Sequence, residues 1–174
     1  MTAKDEGYEV APESPFALMS PAEVRAWFAY MKVHLRIRYE MNRRLRADTD
    51  ISLADFDVLV ALISEPTVTM SMTALAIRLG WERSRASHQT KRMADRGLVS
   101  LEGSATDRRS TSVSLTAAGR AALAASSPGH AEFVRLDVLG ALDDADLAEF
   151  ATALERIYDR LIERGTLPRP ADHP

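Results

Sequence analysis

The sequence contains no cysteine. That excludes disulfides, thiolate metal sites and redox sensing through a thiol. No apolar run approaches the roughly 20 residues that a membrane-crossing helix needs. The opening residues, MTAKDEGYEVAPESP, are acidic and lack an apolar core, unlike a secretory signal, so no membrane association and a cytoplasmic location are expected. No internal repeat is visible. The groupings of an enzyme are missing as well: no Ser/His/Asp arrangement in a sensible context, no phosphate-binding glycine loop, no paired carboxylates in an apolar cleft. The four histidines, His34, His88, His130 and His173, lie far apart without HxxxH spacing, so neither a metal nor another cofactor is expected. What remains is a chain of 174 residues, 46% hydrophobic, enough to pack one domain with extensions.

The most informative stretch is Leu79–Leu115, LGWERSRASHQTKRMADRGLVSLEGSATDRRSTSVSL. Gly80 closes a short helix, Met72–Leu79, started by Ser71 or Thr73. From about Ser84 to Arg96 the spacing of Ala86, Thr90, Met93 and Ala94 predicts a second helix with one narrow, small-residue packing face. Gly97 ends it. Two β-rich pieces follow, Leu98–Leu101 and Thr111–Leu115, around a polar loop, Glu102–Ser110. Helix, turn, helix, strand, basic-tipped loop, strand is the order of a winged helix-turn-helix. Trp81–Ser110 carries seven Lys and Arg against four Asp and Glu, a surplus of three positive charges in a chain of net charge −3. The remainder therefore carries −6, and this basic island marks where a phosphate backbone would be met.

On the second helix, Arg85, His88 and Gln89 are expected to contact base edges, since arginine pairs with guanine and glutamine with adenine. Ser84, Ser87, Lys91 and Arg92 suit phosphate oxygens. Arg108 and Arg109 at the loop tip would reach a flanking minor groove or its phosphates; Arg109 is favoured for the groove, and the two can exchange roles.

The flanks read as helices. Ser20-Pro21-Ala22-Glu23 is a helix start with a capping box, and that helix runs to about Ala47 with Val24, Trp27, Phe28, Met31, Leu35 and Leu45 in its apolar stripe. Ser52 caps Leu53–Ser64, with Asp55 in the first turn. Thr116 caps a helix in which Gly119 is a weak spot and which Ser126-Ser127-Pro128-Gly129 must kink or break. Asp143 caps a last helix, Asp144–Arg164. The first helix and the two last ones have little to pack on except each other and a second copy, so a homodimer is expected. The predicted fold is mainly α with a small β-wing, a winged helix-turn-helix with N- and C-terminal dimerisation helices. Its divisions are a loose tail at 1–19, in which Phe16 and Leu18 can dock, dimerisation helices at 20–50 and 116–165, the DNA-binding domain at 51–115, and a flexible tail at 166–174.

Trp27, His34 and Arg38 follow one another at spacings of seven and four along one face of the first helix. A guanidinium on an apolar face calls for a carboxylate or phenolate, and Trp27 offers a stacking wall, so a small aromatic or anionic ligand fits here. Tyr30, Asn42 and Phe56 are weaker additions. The plainer alternative is that Arg38 pairs with a protein acid such as Asp57, or one across a dimer, and that His34 is a satisfied core histidine.

Taken together, MTALAIRLGWERSRASHQTKRMADRGLV, then DRRS, then SVSLTAAGR resemble the MarR (multiple antibiotic resistance regulator) family in order and spacing, over about Ser20 to Arg164. The resemblance implies an obligate homodimer, triangular in outline, on a palindromic operator in double-stranded DNA. It further implies repression relieved by a small ligand, often an aromatic or phenolic anion, bound between the dimer core and the DNA-binding lobe. Asp107 resembles the acid that holds the wing arginine in that family. The chain departs from the pattern at Glu82, where relatives often carry a small capping residue, and in lacking the cysteine of the peroxide-sensing branch. The alternative within the fold is a constitutive DNA-binding regulator with no effector.

Overall fold

The structure is a computed structural model that describes residues 10–103 and 111–170. The chain divides into two compact units, Met1–Glu40 and Met41–Pro174, and the division falls inside the first long helix.

In the first unit, Pro15–Leu18 forms a single 3-10 turn whose Phe16 amide donates to the Ser14 hydroxyl at 3.3 Å. Phe16 docks edge-on against Phe28, ring centroids 4.9 Å apart, while Leu18 stays 93% exposed. Helix α1, Pro21–Asp48, starts at the expected capping box: Glu23 accepts from the Ser20 amide at 2.8 Å and its hydroxyl at 2.7 Å, and the Glu23 amide donates back to Ser20 Oγ at 3.3 Å. Of its stripe, Val24 and Leu45 are buried, but Trp27 and Leu35 are exposed in the single chain.

The second unit holds the hydrophobic core. Helix α2, Leu53–Ile63, is capped by Ser52 with Asp55 closing the box, and seven of its eleven residues are buried. Strand β1, Thr69–Ser71, leads directly into α3, Met72–Leu79, whose N-cap is Ser71. Helix α4, Arg83–Asp95, ends as expected before Gly97, which takes the left-handed conformation at φ +72°. Strands β2, Val99–Gly103, and β3, Thr111–Leu115, pair antiparallel, and β3 also pairs with β1, giving the order β1-β3-β2. Val113 of β3 faces Met70 on one side and Leu101 on the other and is fully buried. Leu59, Leu62, Leu75 and Met93 bury their whole side chains beside it, so the sheet, α2, α3 and α4 share one core. Fully burying each such side chain is worth about 1.5–3 kcal/mol.

The structure adds one strand that the sequence reading lacks and corrects two expectations. Strand β1 is too short, at three residues, to show any alternation; its partner β3 makes it a strand. Gly119 is a packing requirement rather than a weak spot: helix α5, Ala117–Glu132, lies so close to β2 that a Cβ there would overlap the Leu98 carbonyl. Pro128 does not break α5, which runs on through it to Glu132. The irregularity comes later, as a π-helical stretch at Phe133–Val138. Helix α6, Asp144–Arg164, follows, capped by Asp143, and none of its residues is buried.

Candidate nucleic-acid interface

The turn between α3 and α4 is built from Gly80, at φ +61°, and Trp81, whose amide donates to the Ala76 carbonyl at 2.9 Å. Left-handed backbone at Gly80 lets the chain reverse in so few residues. Trp81 is buried just before α4 begins, and fully buried Ala86 lies in the next turn of the helix, the pairing of a hydrophobic staple. Glu82 is the N-cap but makes no side-chain cap bond. The first-turn amides of α4 therefore lack a capping side chain, a feature that suits phosphate oxygens.

Inward, α4 places Ala86, Thr90 and Met93, all fully buried. Thr90 closes its hydroxyl onto the Ala86 carbonyl at 2.9 Å. Outward, Ser84, Ser87, His88, Lys91 and Arg92 are all exposed, and their spacings of three and four put them on one stripe. Arg83 and Arg85 flank that stripe and are exposed too. The guanidinium of Arg85 sits over the Trp81 ring, 4.3 Å from its centroid, a cation–π contact that orients the side chain.

Gln89 is a correction. It is 9% exposed and donates its amide to Asp55 Oδ1 at 2.6 Å, so it faces α2 rather than a base. Its spacing was the overlooked signal: it stands three residues after Ala86 and four before Met93, on the packing stripe. Asp55, 3% exposed, collects more than Gln89. Its Oδ2 accepts from the Ser52 amide at 2.8 Å, the Ser52 hydroxyl at 2.9 Å and Arg96 Nη1 at 2.9 Å. Burial pushes the Asp55 carboxyl up, but the Ser52 amide, Arg96 and the Ser52 hydroxyl outweigh it and hold the pKa below the ordinary carboxylate value. Arg96 also donates to the Asp50 carbonyl. One cation of the basic island, exposed Arg96, is thus engaged by the protein's own groups. The α2 end of this cluster is tied further by the Leu53 amide, which donates to Asn42 Oδ1 at 3.0 Å.

The wing strands β2 and β3 are in place, but Asp107, Arg108 and Arg109 lie outside the described residues.

In the first unit, the predicted ligand residues share an exposed face of α1. The Trp27 and Tyr30 rings are 5.5 Å apart, and Tyr30 stacks on His34 at 5.6 Å. Tyr30 joins Trp27 to His34 in an aromatic ladder, and Arg38 stands one turn further along, also exposed. In the second unit, a shallow cleft lined by Arg44, Asp48, His130 and Phe133 was not anticipated. There the His130 ring lies 4.5 Å from that of Phe56, and burial pushes its pKa down against the opposing charge of Asp57.

No helix among the described residues is long and apolar enough to cross a membrane. No curated protein matches the chain. A family model described as MarR family matches residues 49–110, which take in α2 to the wing loop. The chain is similar to AbsC, a MarR family transcriptional regulator from Streptomyces coelicolor, at 28% identity over 84% of this chain and 98% of that one, with a TM-score of 0.77. It is also similar to Sco3205, a MarR family regulator of the same organism solved in complex with DNA, at 26% identity over 86% and 92%, TM-score 0.77. The organohalide-sensing regulator RdhR, in its 2,4-dichlorophenol-bound form, shares the fold at 17% identity over 96% and 100%, TM-score 0.74. These neighbours are transcriptional regulators rather than enzymes. With its helix-turn-helix, paired wing strands and long flanking helices, the chain is similar in fold to these MarR family regulators, and its residues 49–110 match the model of that family.

Proposed function

We propose that the protein is a dimeric, sequence-specific DNA-binding regulator of transcription, a repressor released by a small aromatic or anionic ligand. The observation that carries DNA reading is the two-sided character of α4: its inner side is fully buried, and its outer side offers Ser84, Arg85, Ser87, His88, Lys91 and Arg92. Arg85 and His88 read base edges, and the hydroxyls, Lys91 and Arg92 hold phosphates. On this reading Asp107 braces the wing, and Arg108 and Arg109 enter the flanking minor groove. Two copies pair through the terminal helices, since α6 exposes Phe150, Leu154, Ile157, Tyr158 and Leu161, an apolar row that water does not favour. Two recognition helices then meet half-sites about one helical turn apart.

The ligand is held by Trp27, Tyr30 and His34 stacking on an aromatic ring and by Arg38 on its acidic group. A ligand that favours one spacing of the DNA-binding lobes by about 1–3 kcal/mol changes operator affinity roughly five- to 150-fold. A constitutive regulator is the second reading, favoured by the exposure of Trp27, His34 and Arg38 in the single chain.

The test is a binding titration on duplexes selected from a random pool. Recovery of an inverted repeat, bound with steep salt dependence, is the expected outcome; no enriched sequence contradicts the proposal. Release of that duplex by a substituted benzoate or phenol in wild type but not in Arg38→Ala separates the two readings.

A further inference from the structure

We propose that Asp55 is a positioning residue for sequence reading: it fixes the rotation of α4 about its own axis, and with it the aim of the base-reading side chains. The inference rests on the DNA-reading role proposed above and concerns residues that would not touch DNA.

The packing of α4 is mostly small. Ala86 and Thr90 fill little volume, and apolar contact is non-directional, so it resists separation of α4 from the core better than it resists rolling. Direction comes from one carboxylate. Gln89, in the middle of α4, bonds Asp55 Oδ1 at 2.6 Å, and Arg96, at its C-cap, bonds Oδ2 at 2.9 Å. Two attachments about two turns apart along one helix converge on a group that cannot swivel, because the capping box of α2 already holds it through Ser52. Arg96 is anchored a second time, at the Asp50 carbonyl before α2. The cap of one helix is therefore the clamp of another.

Rotation matters because the two kinds of DNA contact differ in tolerance. A roll of about 20° moves a side-chain tip roughly 6 Å from the helix axis by about 2 Å, enough to lose a base-edge hydrogen bond. Long, flexible Lys91 and Arg92 follow a phosphate through the same movement, since phosphate attraction is largely a matter of charge. Loosening the clamp should therefore cost discrimination while sparing non-specific affinity.

The experiment compares wild type with Gln89→Met and Asp55→Asn on the selected operator duplex and on a scrambled one, over a salt series, with far-UV circular dichroism to verify folding. Met keeps length and helix preference but cannot donate. Asn keeps the shape of Asp55 and its cap acceptor, but not its charge. Operator affinity is expected to fall about tenfold or more in both variants, with scrambled-duplex affinity within about twofold of wild type and an unchanged salt slope on that duplex. Equal discrimination by wild type and folded Gln89→Met overturns this inference and leaves the DNA-reading proposal standing. A parallel fall on both duplexes also overturns it, because the clasp is then structural only. A wild type that does not discriminate overturns the DNA-reading proposal and this inference with it.

Discussion

Helices α2 and α6 treat their apolar residues in opposite ways. Helix α2 has eleven residues and buries seven of them inside one chain. Helix α6 has twenty-one and buries none, although Phe150 is 43% exposed and Ile157 57%. Both are well capped, α2 by Ser52 and α6 by Asp143, so local helix signals do not separate them. The difference lies in what each packs against. Helix α2 completes its burial within its own unit, whereas the apolar side of α6 needs something else to cover it, and on the proposed reading that cover is a second copy. The outer side of α4 is exposed for another reason: its residues are polar and cationic, so water costs them nothing until DNA replaces it.

One substitution made in both helices puts this contrast under the heaviest load. Leu59→Ala in α2 is expected to cost about 2–5 kcal/mol at any protein concentration, read by chemical denaturation. Leu154→Ala in α6 is expected to cost stability only where the protein is associated, so its penalty should shrink on dilution. A concentration-independent cost at Leu154 would contradict the assignment of the α6 face to a partner copy. Next comes the double variant Phe150→Asp, Leu154→Asp. It should give a folded monomer whose operator affinity is about a hundredfold weaker, because binding two half-sites together multiplies affinity by that order; an unchanged mass in size-exclusion chromatography with light scattering would count against it.

The Asp55 clasp adds a pH signature to the first of these regions. The folded pKa of Asp55 lies below its ordinary value, so its contribution to stability is complete above the unfolded carboxylate pKa, about 3.9. That contribution is lost as pH falls through the lower, folded value. Wild type should therefore lose more stability than Asp55→Asn between about pH 5 and 2. Parallel acid-denaturation curves would show that the carboxylate is not held as described. The smallest effect belongs to the outer side of α4. Lys91→Ala should weaken operator and scrambled duplex alike and lower the salt slope by about one, with stability unchanged.

The sequence reveals those parts of the molecule that are decided locally. Ser20 with Glu23, Ser52 with Asp55, Thr116 and Asp143 each bond an amide three residues away, and such signals survive without any tertiary context. What escaped was decided at a distance. Strand β1 depends on β3, 45 positions on at the Thr69–Ser114 pair. Gly119 is set by the Leu98 carbonyl. Gln89 is polar and so points outward on composition alone, but the 3.6-residue period puts it inside, and only Asp55, 34 residues earlier, makes a buried amide acceptable there. Asp57, which draws notice as an acid in an apolar run, is half-buried beside His130, while the fully buried acid is Asp55. The Trp27, His34 and Arg38 alignment was legible from helical spacing, but the ladder needs Tyr30 to close it.

Both the α6 assignment and the reading role of α4 require that two copies of this chain engage one duplex together. Sedimentation equilibrium of the free protein and of its complex with the selected operator decides the matter. A free species of twice the 19.2 kDa chain mass and two chains per duplex are expected. A free monomer at micromolar concentration that binds the duplex as a single chain would contradict that requirement.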